Sequence, residues 1–345
     1  MKSLPELGGL RAELRAAGCF EHHEARSWLK LIVLGTGLAA CLAGMHYLPG
    51  LAMLGLIPAA GVFATAMAMS GHEGSHKSFS KSPWRNTLVT YLLFPAFSGL
   101  GALYWKNKHD RLHHGHPNVE GKDPDIQPWP FASSIGDHEK STPGLRWFQR
   151  NLQKTAFWPM STLMAIGMRR SSIIYLAKYP KKRSAEWIAE VGCMIVHYTC
   201  WIVIPMIVFG PLAGAFVYLS VWGVVGVCLA LVFAPAHMGL PITKDQNHDW
   251  VHQLETTRNL ALPKFISFFF IGLDYQVEHH LFPKIPHQNL PRAAAITRAW
   301  CERNGLTHLT WAYHKALWDS ATFMATAWAQ HAQLAIDVRA AHIVV

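Results

Sequence analysis

Half of the 345 residues are hydrophobic and the charged ones are kept apart from them, which argues against an ordinary soluble domain and for apolar segments that sit in a bilayer. A net charge of +10 would suit a nucleic-acid partner, but the cations Lys77, Lys81, Arg85, Lys106, Lys108, Arg169, Arg170 and Lys181 to Arg183 flank apolar stretches. The positive-inside rule accounts for them, and no nucleic-acid partner is expected.

In chain order, residues 1–30 carry Leu4, Leu7, Leu10 and Leu14 at helical spacing and predict an amphipathic helix near the cytoplasmic membrane surface. Charges such as Glu6, Arg11, Glu13 and Arg15 interrupt this opening segment, so no cleaved leader is expected there. Residues 31–48 and 51–70 are free of Lys, Arg, Asp and Glu, approach the roughly 20 residues a bilayer requires, and are joined at Pro49-Gly50. Residues 87–104 are apolar but broken by Pro95, Gly99 and Gly101, and predict a re-entrant or interfacial segment that enters the membrane without crossing it. Residues 106–190 then form a cytoplasmic block, 191–209 and 212–235 form two more uncharged spans joined at Gly210-Pro211, and 237–345 form a second cytoplasmic block. Within that block 260–273 is apolar and too short to cross, so it lies along the surface or packs on the site. The reading is a single all-α domain over 1–345, with four transmembrane helices, a helical cytoplasmic cap and both termini in the cytoplasm. Cys19, Cys41, Cys193, Cys200, Cys228 and Cys301 show no CxxC spacing and read as small buried residues with reduced thiols.

The 21 histidines cluster. His72 and His76 follow the second span and are one helical turn apart, a spacing at which two imidazoles reach one metal. His109 and His113 repeat that spacing after the broken segment, and His114 is turned about 100° from His113, so that one helix can address two metals. His279 and His280 offer two directions again, preceded by Gln276. His237 stands alone where the fourth span reaches the cytoplasm. Eight imidazoles exceed what one structural zinc takes, and no cysteine sits near any of these groups; neutral nitrogen donors suit iron with open positions for O₂.

The motifs HxxxH, HxxxHH and QxxHH, in this order between paired spans, with Asn118, Gly121, Asp123 and Asp125 after the second and Pro286 to Leu290 after the third, resemble the membrane-bound fatty acid desaturases. The Gln that opens the third box resembles front-end desaturases, which act between an existing double bond and the carboxyl end. The resemblance implies a di-iron centre (Fe2+/Fe3+) ligated by His72, His76, His109, His113, His114, His237, His279 and His280. Gln276 stands where other members have a histidine, and it could ligate weakly, act through a water or orient a neighbour. His116, His252, Asp123, Asp125 and Asn259 are candidates to hold the ligand imidazoles from behind. The reaction so implied uses O₂ and external electrons to remove two hydrogens from adjacent methylenes of an acyl chain carried by CoA, a carrier protein or a lipid.

Trp84, Tyr104, Trp105, Trp129, Trp250 and Phe268 to Phe270 are candidates to line an apolar tunnel for that chain. The chain has no HPGG haem motif, no cysteine cluster and no nucleotide fingerprint, so a separate electron donor is expected, such as ferredoxin or cytochrome b5 with its reductase. The expected location is the bacterial cytoplasmic membrane or the endoplasmic reticulum, with the site facing the cytoplasm. A di-iron hydroxylase of a lipid or alkyl chain is the alternative. A histidine-rich metal transporter is remote, because transporter sites sit near the midplane between inverted repeats, whereas these boxes sit at the cytoplasmic ends of spans.

Overall fold

The computed structural model describes residues 6–48, 50–244 and 250–331. Helix α1 (Leu7–Ala16) precedes a hairpin of two long helices, α2 (Glu24–Tyr47) and α3 (Leu51–Ser75). Helix α4 (Pro83–Tyr91) runs into a π-helical turn at Leu92–Ser98, and α5 (Ala102–Trp105) runs into a second at Lys106–His113. Shorter helices follow: α6 (Ile135–Glu139), α7 (Pro143–Asn151), α8 (Gln153–Met160) and α9 (Met164–Ala177). Helix α10 (Ala185–Tyr198), a π-helical turn at Thr199–Val203 and α11 (Ile204–Phe209) form one apolar rod, which reverses at Gly210 into α12 (Pro211–His237). The chain continues through α13 (Trp250–Glu255), β1 (Asn259–Ala261), α14 (Lys264–Phe270), α15 (Gln276–Leu281), α16 (Leu290–Arg303), β2 (Thr310–Ala312) and α17 (Tyr313–Thr326). Strands β1 and β2 pair in parallel, with Leu260 opposite Trp311.

Among the described residues four helices are long and apolar enough to cross a bilayer: Glu24–Tyr47, Leu51–Ser75, Ala185–Phe209 and Pro211–His237. The architecture is that of an all-α membrane protein, and the four uncharged stretches of the sequence lie in these helices. Glu24–Tyr47 and Ala185–Phe209 begin before their uncharged stretches, and α3 and α12 continue past the ends of theirs, so that α3 carries His72 two residues beyond the uncharged run. Helices α3 and α12 pack closely because small residues face the seam. A Cβ placed on Gly61 would come within 2.3 Å of Val224, so only glycine admits that approach.

The broken segment bends by 112° between Pro83–Ser98 and Ala102–His113. Gly99 makes the corner: its φ of 69° is left-handed, and a Cβ there would stand 2.6 Å from the His197 ring. His197 in turn donates to the Phe97 carbonyl at 2.7 Å, which ties the corner to α10. The bend returns the chain toward the end of α3, so the second histidine group arrives beside the first.

Two expectations need correction. Residues 1–30 are not one surface helix: α1 ends at Ala16, and Glu24 already belongs to α2. The leucine stripe of α1 faces protein, with Leu10 and Leu14 wholly buried among Val277, Leu281, Trp300 and Cys301; Leu4 and Pro49 lie outside the described residues. Helix α9 packs along α12, and the Arg169 guanidinium lies 3.8 Å from the Trp222 ring. Cys200 is exposed rather than buried, whereas Cys19, Cys41 and Cys301 are buried. The apolar 260–273 region is broken into β1 and the seven-residue α14, too short to span, and Phe270, Ile271 and Leu273 pack with Leu34, Ala66 and Met69 of α2 and α3.

Candidate metal centre

Each histidine group is delivered by the end of a different element. His72 and His76 come from the last turn of α3 and the residue after it, His109 and His113 from the π-helical turn after α5 with His114 directly following, His237 from the last residue of α12, and His279 and His280 from α15. Their nitrogens converge in two adjoining sets. One ring nitrogen from each of His72, His76, His109, His114 and His279 lies within 4.8 Å of all the others, and His113, His237 and His280 form a second set on the same criterion. The Nε2 atoms of His72 and His109 are 2.9 Å apart, and those of His114 and His109 are 3.2 Å apart. A third set, His109, His113 and Asp125, links the two.

The division differs from the expected α-helical one. In an α-helix His109 and His113 would share a face and His114 would point away. Residues 106–113 are instead π-helical, and the His114 amide donates to the His109 carbonyl at 3.0 Å, five residues back. The wider turn sends His114 to the first set beside His109 and leaves His113 for the second.

Several of these imidazoles are held from behind, which fixes the nitrogen they present. His113 Nδ1 lies 3.1 Å from both oxygens of the fully buried Asp123, which also accepts the Asn118 and Asp125 amides at 2.8 Å. His237 Nδ1 donates to the Thr256 carbonyl at 3.1 Å, and His280 Nδ1 to Gln253 Oε1 at 3.0 Å. The opposite nitrogens of His237 and His280, together with Nε2 of His76 and His279, are buried with no hydrogen-bond partner. Orphaned buried ring nitrogens, on His237 and His280 with the opposite nitrogen already bonded, are the donor set that a metal ion completes.

Burial, reinforced by neighbouring imidazoles, pushes the pKa of His114, His279 and His280 well below the ordinary histidine value; burial and then His113 push His76 down to about 3. They are neutral at physiological pH and present lone pairs rather than protons.

The other expected site residues are distributed unevenly. Asp125 reaches the cluster, with an oxygen 3.5 Å from His113 Nδ1, and pairs with Lys108. Gln276 is buried, donates to the Leu273 carbonyl at 2.9 Å and adjoins His237. His116 bonds the Leu112 carbonyl within the π-helical turn, and His252 bonds the Pro117 carbonyl just beyond it. Asn259 grips α15: its amide nitrogen donates to Glu278 at 2.7 Å, and its oxygen accepts the Val277 amide at 2.9 Å. Sequence reasoning missed Gln253, Glu278, His308 and the pair of Glu73 with His287, whose side chains meet at 2.8 Å. Acidic residues inside two histidine boxes were the available signal for Glu73 and Glu278; Gln253 carries none.

Among the expected tunnel aromatics, Trp105 lines a cavity that His72 also lines, and it stacks on His109 with ring centroids 4.3 Å apart. Trp84 and Trp129 are exposed, Tyr104 packs on Tyr175, Trp250 packs on Trp300, and Phe268 meets Lys30 and Phe269. None of these five lines that cavity.

Comparison with known proteins agrees with this arrangement. The family model "Fatty acid desaturase" matches residues 46–312. The chain is 27% identical over 319 residues to the mouse protein named fatty acid desaturase 2-like protein FADS2B, covering 86% of this chain and 56% of that one. It is 25% identical to the Delta(5) fatty acid desaturase fat-4 of Caenorhabditis elegans (72% of this chain, 57% of that one) and 26% identical to human fatty acid desaturase 3 (86% and 63%). It therefore spans about three fifths of the length of these relatives. With the family matched over most of its length and its histidines gathered at one buried centre, the chain belongs to the fatty acid desaturase family.

Proposed function

We propose that this chain is an O₂-dependent di-iron fatty acyl desaturase that introduces a double bond into an acyl chain. The observation that carries the proposal is the convergence of eight histidines from three boxes and α12 into two adjoining sets beside an apolar cavity. All-imidazole donors without thiolate favour iron with open positions over structural zinc. When bound, the two irons would supply the O₂-derived oxidizing power needed to break unactivated C–H bonds. The protein's residues hold the site for that chemistry. Asp123, the Thr256 carbonyl and Gln253 fix His113, His237 and His280, while Trp105 and Phe233 wall the cavity beside His72 against water. The reducing electrons come from a donor outside these 345 residues, and the basic flanks of the spans suit an acidic carrier such as ferredoxin or cytochrome b5. The same charge pattern supports a site on the cytoplasmic face. Gln276 at the head of the third box supports insertion on the carboxyl side of an existing double bond.

The test is expression in a host of known lipid composition, with double bonds located by mass spectrometry. New unsaturated species are expected with the wild-type chain and none with His280→Ala; an unchanged lipid profile despite membrane-inserted, iron-loaded protein would refute the assignment.

A further inference from the structure

The cavity beside His72 is apolar along most of its wall, with Phe94, Leu229 and Phe233 among its linings, and yet Arg169 lines it too. Arg169 is 4% exposed. Its Nε donates to the Ser98 carbonyl at 2.7 Å, but neither terminal nitrogen has a protein acceptor within hydrogen-bond reach, and no carboxylate lies within 4.0 Å among the described residues. The guanidinium stacks 3.8 Å from the centre of the Trp222 ring, with Tyr218 at 5.4 Å. Those rings offset part of the cost of burying the charge, but they do not satisfy in-plane N–H donors. Trp222 lies fifteen residues before His237 on α12, about 22 Å along the helix axis, so the cation stands deep in the fold and remote from the second histidine set.

A positive charge retained at such depth is costly, and Ser98 alone would be served by a neutral donor. A saturated chain filling the cavity would leave the two terminal nitrogens unsatisfied, whereas a carboxylate accepts two parallel N–H bonds from a guanidinium. We propose that Arg169 is a substrate-recognition subsite that binds a carboxylate carried on the chain, at the end of the cavity away from the histidines. This deepens the acyl-desaturase reading and rests on it. The carboxylate has two possible sources: the head of a free fatty acid that enters carboxyl-first, or a carboxyl group at the far end of a chain whose head is esterified.

Binding to the purified full-length chain in detergent separates them, read by displacement of a fluorescent fatty acid. Palmitate is compared with methyl palmitate, and ω-carboxypalmitoyl pantetheine with palmitoyl pantetheine. One carboxylate ligand should bind roughly tenfold or more tightly than its uncharged counterpart, as charged hydrogen bonds warrant. R169Q should remove that preference by weakening the carboxylate ligand, while R169K should keep part of it. Equal affinities within both pairs on the wild-type chain would overturn the proposal without recourse to any variant, as would a preference that survives in R169Q. If no chain of either kind binds, the acyl reading of the cavity fails, and this proposal fails with it.

Discussion

At the scale of single residues, the centre depends on which nitrogen each imidazole presents. Asp123 holds His113 through both carboxylate oxygens and is itself held by two backbone amides, so its position is set by the loop and not by the metal. Asp123→Asn should keep the fold and weaken metal binding by about 10–100-fold, measured as iron retained against a chelator; wild-type retention would remove Asp123 from that role. Wild-type protein should carry about two irons per chain by elemental analysis, and His280→Ala should lose iron while remaining in the membrane. Gln276→His should retain metal. If Gln276→Ala matches wild type in iron content and turnover, its side chain neither ligates nor positions. The histidines were legible because imidazole density has a residue signature. Thr256 was not, since it acts through its carbonyl and any residue could stand there.

At the scale of elements, two short pieces decide whether the boxes meet. Helix α15 has six residues, too few to be stable alone, and is fully buried. It is pinned by Glu278, which takes Asn259 on one oxygen and His308 on the other, both at 2.7 Å. Glu278→Ala should strand both partners and lower stability by roughly 3 kcal/mol, read as a drop in thermal midpoint together with loss of iron. A midpoint equal to wild type would show that α15 is held by packing alone. The corner at Gly99 is the other piece. Gly99→Ala forces a Cβ into a left-handed residue and against His197, and should cost about 1–2 kcal/mol or more and reduce iron content. The break at this corner was readable from Pro95 and the glycines. The π-helical turn after it was not, because box spacing was judged against an α-helical period, and nothing in the residue types marks where a turn widens.

At the scale of the molecule, four uncharged runs were enough to place the four long helices, since a bilayer leaves a helix few alternatives. The fate of α1 was not readable, because an apolar stripe looks the same whether lipid or α16 covers it. A single crossing by 83–113 would put the first two boxes about 30 Å apart across the hydrocarbon, which the 2.9 Å approach of His72 and His109 excludes. In a background lacking the native cysteines, Lys81→Cys and Trp129→Cys should therefore react with an impermeant thiol reagent from the same, cytoplasmic, side. Labelling from opposite faces would break the shared site. The most direct measurement supplies purified protein with acyl substrate, a reducing donor and isotopically labelled O₂, and determines the product mass. A desaturase gives a chain lighter by two hydrogens and free of the label; a labelled alcohol as the main product would contradict desaturation.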